Sequence, residues 1–92
     1  MRFAARVEVR LRPGIADPEG ATVERALPAL GFSDVHDVRA GRSWRFEVEA
    51  DDEASAASRV DEVARRLLAN PVIEDAEYRV VAIADGVDPG AR

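Results

Sequence analysis

Ninety-two residues, 47% hydrophobic and 34% charged, suit one small globular domain with a modest core. The chain has no cysteine, which excludes disulfides, thiolate nucleophiles and Cys-based zinc sites. Its net charge of −5 argues against a nucleic-acid partner. No apolar run approaches the roughly 18 residues of a membrane span, and no signal-peptide core is present, so the cytoplasm is the expected compartment.

In chain order, Arg2 to Arg12 alternates with period two. Phe3, Ala5, Val7, Val9 and Leu11 point one way, and Arg2, Arg6, Glu8, Arg10 and Arg12 the other. That is the pattern of a half-buried strand, and Pro13-Gly14 ends it. Asp17-Pro18-Glu19 then predicts a helix start: a capping carboxylate, a proline suited to the first helical position, and an acid that complements the dipole. Val23, Ala26, Leu27 and Leu30 follow at helical spacing, with Gly31 at the C-terminal cap position. Pro28 removes a hydrogen bond near the end and kinks or shortens the helix.

Val35 to Ala40 and Ser43 to Ala50 read as two short strands joined by a hairpin turn at Ala40-Gly41-Arg42, with Gly41 free to take a positive φ. Asp51-Asp52-Glu53 opens a longer helix reaching about Ala69, with the stripe Ala57, Val60, Ala64, Leu67 and Leu68, and Asn70-Pro71 stops it. The last strand spans about Ile73 to Ile83. Ala76, Tyr78, Val80 and Ala82 line one face, while Val81 and Ile83 make the other apolar as well, as if a further subunit covered it.

The expected fold is α+β with the order β-α-β-β-α-β: a four-stranded antiparallel sheet with two helices on one face, ferredoxin-like in outline. Residues 1–84 form the predicted domain, and the Gly- and Pro-containing tail 85–92 is expected to be disordered.

Little in the chain points to catalysis. The single histidine, His36, lies between Asp34 and Asp37 without partners at ligand spacing, and reads as a polar loop or strand-edge residue. Asp51-Asp52-Glu53 has the carboxylates of a magnesium site, but helix capping accounts for the same residues. No Gly-rich phosphate loop is present. The arginine stripe of the first strand has two readings, a solvated sheet face or a protein interface.

Two loops carry more specific detail: Leu11 to Gly20, and Ala69 to Asp75 with its Asn-Pro stop, apolar pair and two acids. Four stretches in order, Leu11–Gly20, Ala26–Phe32, Val38–Arg42 and Leu68–Asp75, resemble PurS, the small subunit of the bacterial phosphoribosylformylglycinamidine (FGAM) synthase complex. The resemblance covers Phe3 to about Ile83. The chain departs from the family pattern at Arg42, usually lysine, at Ala76, usually tyrosine, and at Pro28 in the first helix.

The resemblance implies a purine-biosynthetic ligase in which formylglycinamide ribonucleotide is amidated with ATP and glutamine. A glutaminase subunit would release ammonia and a large synthetase subunit would hold ATP and magnesium. This chain would hold no cofactor, bridge the two, assist ammonia transfer, and pair with copies of itself through its sheet as a dimer or tetramer. The partner-contacting residues it implies are Asp17, Pro18, Glu19 and Gly20, then Arg39, Gly41 and Arg42, and finally Asn70, Pro71, Val72, Ile73, Glu74 and Asp75. The lack of cysteine fits, because a glutaminase of this type needs a Cys nucleophile and would have to be another chain. Two rival readings are a dimeric small-molecule-sensing regulatory module and an acylphosphatase-like enzyme. The second wants an Arg-lined phosphate loop with a partnering Asn, and the only Asn is Asn70, before a proline.

Overall fold

A computed structural model describes residues 1–83; the expectation for the tail 85–92 lies outside the described residues. The elements in order are β1 (Arg2–Leu11), α1 (Pro18–Ala26), a short 3-10 turn (Pro28–Leu30), β2 (Gly41–Glu49), α2 (Glu53–Val63) with a π-type extension (Ala64–Leu68), and β3 (Glu74–Ala82). The strands form one antiparallel sheet in the order β2-β1-β3, so β1 is central.

The alternation in β1 sets the two faces. Its odd positions meet α2: Phe3, Ala5, Val7 and Val9 are buried, and Ala5, Val7 and Val9 cluster with Val60 and Ala64. Phe46 and Val48 from β2 and Ala76 and Val80 from β3 pack around that cluster. Its even positions, Arg2, Arg6, Glu8 and Arg10, lie on the opposite, open face with the side chains of β2 and β3 that stand beside them.

Both helix starts form as expected. The Asp17 carboxylate accepts from Gly20 N at 2.9 Å with Pro18 in the first turn, and Asp52 accepts from Ser55 N at 2.8 Å. Asp52 is thus engaged as a helix cap. Pro28 ends α1 early: the α-helix stops at Ala26, the chain tightens to a 3-10 turn, and Gly31 caps it at φ 93°. The second helix loosens instead of stopping cleanly. Ala69 N donates to Ala64 O at 2.9 Å, a five-residue step that widens the last turn before Asn70-Pro71.

Three expectations are corrected. Val35 to Ala40 is irregular backbone, so the described sheet has three strands where four were expected. The physical reason is that Asp37 takes φ 59°, which breaks an extended run, while two backbone donors of the segment are satisfied by side chains. Val38 N donates to Glu24 Oε1 at 3.0 Å and Ala40 N to Asp17 Oδ2 at 2.8 Å, leaving no ladder at those groups. Without that strand there is no hairpin at Gly41, which opens β2 with a φ that is not positive. Glycine is required there for a different reason, since a Cβ would stand 2.7 Å from Val9 O. The third correction concerns the helices: α2 covers the sheet, but α1 buries only Gly20 and leaves Val23 exposed, as is Leu30 of the 3-10 turn that follows it. Among the described residues no helix is long and apolar enough to cross a membrane.

The Val7 side chain is fully buried between α2 and the sheet. Val7→Ala is expected to lower unfolding free energy by about 2–3 kcal/mol through lost burial and a residual cavity, measurable by urea denaturation.

Candidate protein-interaction site

The C-terminal end of β1 and the starts of β2 and β3 meet at one edge of the molecule, where Arg10 stands beside Gly41 and Leu11 beside Glu74. All three groups of residues implied by the sequence resemblance gather at this edge. Each is fastened by a carboxylate or an arginine.

The first fastening is Asp17. One carboxylate oxygen takes Gly20 N, and the other takes Ala40 N from the segment leading into β2. The N–H of Gly20, then that of Ala40, hold the Asp17 carboxyl below the ordinary aspartate value, with the Arg39 cation adding to them and desolvation opposing. Gly20 is tied to this geometry: a Cβ there would lie 2.6 Å from both Asp17 Oδ2 and the Val38 carbonyl oxygen.

Glu74 makes the second fastening. Its carboxylate, with a side chain only 15% exposed, accepts from Arg42 Nη2 at 2.9 and 3.2 Å and from Asn70 N at 2.7 Å. Arg42 also reaches Leu68 O at 3.5 Å, so the start of β2 is bound to the end of the second helix and the start of β3. Arg12 makes the third: its guanidinium donates to Pro71 O and pairs with Asp75 at 3.4 Å, while Arg12 N donates to Ile73 O at 2.8 Å. Within the loop, Asn70 Oδ1 accepts from Val72 N at 3.1 Å and Asn70 O from Ile73 N and Glu74 N. The loop is a braced turn that holds Val72 outward, 78% exposed, and Leu67 on the preceding turn is exposed to the same degree.

Not every expected residue joins this framework. Pro18 serves the helix start, Glu19 makes no side-chain bond among the described residues, and Arg39 pairs with Asp37 at 3.4 Å. Sequence reasoning missed Glu24, whose carboxylate holds Val38 N, and missed Arg12 as the brace of the 70–75 loop. The position of Arg12 at the strand end before Pro13-Gly14 was a usable signal. Glu24 had none, because its partner is fourteen residues away in a segment without regular structure. His36 lies with Pro28, Ser33 and Val35 around an open hollow beside α1. Among the described residues no cluster of three or more His, Cys, Asp or Glu is arranged to hold a metal. The edge has the character of a rigid polar frame carrying apolar tips, suited to protein contact and lacking a nucleophile–base pair.

Comparison with known proteins decides the family. The model for PurS, phosphoribosylformylglycinamidine (FGAM) synthase, matches residues 4–82. This chain belongs to the PurS family. It is 38% identical over 87 residues to the FGAM synthase subunit PurS of Synechocystis, covering 95% of this chain and 87% of that one. Among solved structures, PurS of Thermus thermophilus superposes with a TM-score of 0.82 at 30% identity, covering 91% of this chain and 100% of the other. A chain in the structure of PurLQS from Thermotoga maritima gives a TM-score of 0.81 at 34% identity, covering 88% and 99%. The α+β fold with two helices and an antiparallel sheet is therefore one this chain shares with PurS structures.

Two predictions follow from the fastenings. Glu74→Ala strands Arg42 and Asn70 N, and is expected to cost about 2 kcal/mol in denaturant unfolding. Asp17 and Asp52 both have carboxyl groups lowered from 3.8 in the folded chain, Asp52 through the Ser55 backbone and hydroxyl donors. The unfolded chain therefore takes up these protons first, so their stabilisation is complete well above pH 4 and is lost as pH falls through and below it. Asp17→Asn should flatten the acid limb of a stability–pH curve measured between about pH 2 and 6.

Proposed function

We propose that this chain is the small, non-catalytic subunit of an FGAM synthase complex in de novo purine biosynthesis, joining a glutaminase subunit to a synthetase subunit and assisting ammonia transfer. The observation that carries this reading is the PurS match across nearly the whole chain, with relatives matched over most of their own length. The neighbour solved as PurLQS supports a place beside larger partners. In this reading residues 1–84 act as one unit in the cytoplasm, and ATP and magnesium sit on the synthetase, which performs the ligase chemistry.

The reading has a physical rationale. Ammonia released into neutral water becomes ammonium, which is not nucleophilic, so delivery within an assembly keeps the reactive form near its target. A subunit serving that end needs firm docking surfaces, and the braced edge supplies one. Asp17, Pro18, Glu19 and Gly20, the Arg39-Gly41-Arg42 stretch and the Asn70–Asp75 loop form the surface we assign to partners, with Val72 as its apolar tip. Copies of the chain pair through the sheet, as a dimer or tetramer. On the open face Val81, 40% exposed, supplies apolar area for that contact, while Trp44 and Tyr78, each 42% exposed, stand beside Val7 on the α2 side of the sheet. The rival reading, a small-molecule-sensing regulatory module, rests on fold analogy alone and is not favoured.

The test compares product formation by the synthetase and glutaminase subunits of the same organism, driven by glutamine or by ammonium, with and without this chain. Glutamine-driven synthesis should require the chain and ammonium-driven synthesis should not; full glutamine-driven activity without it would sink the assignment. Val72→Asp should leave the melting temperature unchanged, because the side chain is exposed, yet raise the concentration of chain needed for half-maximal glutamine-driven activity about tenfold.

A further inference from the structure

β2 forms one outer edge of the sheet. Ala50 N donates to Met1 O at 3.0 Å, and bonded and non-bonded pairs alternate along an antiparallel ladder. With Arg2 beside Glu49, the even residues of β2 therefore exchange hydrogen bonds with β1. Ser43, Arg45, Glu47 and Glu49 turn their N–H and C=O groups outward. Among the described residues no hydrogen bond reaches those outward groups. Such a row is a template for another strand.

The side chains along this edge are also incompletely matched within one chain. On the open face Arg45 stands beside Arg6, and Arg6 beside Arg79, so an arginine row crosses all three strands. Like charges at directly opposed positions destabilise a sheet. Among the described residues Arg45 forms no ion pair. Glu47 pairs with Arg2 through one oxygen at 3.4 Å, and its other oxygen is unengaged among the described residues. On the opposite face α2 packs more closely on β3 than on β2. Phe46 and Val48 are half-buried there, and Trp44 is exposed.

We propose that two copies join edge to edge along β2, antiparallel, with Phe46 at the two-fold axis, so that two three-stranded sheets become one. The proposal rests on the reading that copies pair through the sheet, and it names the edge and the register. In this register Arg45 lies opposite Glu47 of the second copy and Glu47 opposite its Arg45. Ser43 lies opposite Glu49, so every outward backbone group on these residues meets another outward group. On the α2 side Trp44 lies opposite Val48 and Phe46 opposite Phe46, which extends the apolar side across the join. Charge selects the register. A slip of two residues either way brings Arg45 against Arg45 or Glu47 against Glu47 at the axis, and a slip of one sets the two faces against each other. A strand of another sequence would need an acid opposite Arg45 and a cation opposite Glu47; the chain's own edge supplies both. The β3 edge offers less. About an axis at Tyr78, Glu77 would meet Arg79, but Glu77 is already bound to Arg10, and Asp75 would face Val81.

The test is sedimentation equilibrium of the full chain as wild type, Arg45→Glu, Glu47→Arg, the double reversal carrying both changes, and Arg79→Glu as the control on the other edge. Circular dichroism checks that each variant is folded, as expected for exposed side chains. Each single reversal sets like charges opposite each other twice across the axis, and should raise the dimer dissociation constant about tenfold or more. The double reversal restores opposite charges and should return the constant to within about threefold of the wild type. Arg79→Glu should leave it unchanged. A wild type that stays monomeric, a double reversal no tighter than the single ones, or dissociation by Arg79→Glu in place of the β2 variants would overturn the proposal. Unchanged pairing in both single reversals would overturn the edge and leave pairing through the sheet intact, while glutamine-driven synthesis reads the bridging role separately.

Discussion

Everything in this small protein hangs on the burial of one face of β1 under α2. β1 is the central strand, laddered on both sides, and its odd positions Phe3, Ala5, Val7 and Val9 make up half of the buried core. Because side chains alternate with period two, that burial fixes the register of both neighbours: a slip of one residue would turn the arginines inward and the valines out. Once the register is set, so are the charge rows of the open face and the meeting of three loops at the end of β1. A single apolar stripe thus positions every surface to which we assign a role.

Where no ladder is available, carboxylates take its place. Asp17, Glu24, Asp52 and Glu74 each accept at least one backbone N–H, and Asp17 and Glu24 do so from a segment distant in sequence. An anionic acceptor makes a stronger hydrogen bond than a neutral one, so these groups give firm loop geometry without added core. That matters in a domain too small to brace its loops by burial alone. It also explains how an acidic chain uses part of its charge: these acids hold the 35–40 and 70–75 segments in place, and arginines 12 and 42 complete the frame.

Such a frame suits a protein whose contribution to a reaction is geometry. The chain lacks cysteine, and the polar groups at its braced edge are committed to structure. What it offers outward is apolar tips such as Val72, aromatic side chains beside α2, and a face of ordered charge. In the proposed reading, a ligase that moves ammonia between active sites depends on the fixed relation of its subunits, and a small subunit with braced loops would serve that requirement without catalysing a step.

The amino-acid sequence alone determined the elements that rest on local rules: β1 from its alternation, the Asp17-Pro18 and Asp52 helix starts from capping, the early end of α1 from Pro28, and β3 from its period. The PurS motifs were legible too, because they sit in turns where residue choice is tightly constrained. Tertiary structure decided the rest. Whether Val35 to Ala40 becomes a strand depends on where its backbone donors find acceptors, and Glu24 and Asp17, far away in sequence, took two of them. The role of Gly41 depends on how near Val9 O comes, and the arginine row exists only because the register sets residues 6, 45 and 79 side by side. Local pattern fixes what a segment is able to become; long-range pairing, which no local window contains, fixes which neighbours it meets.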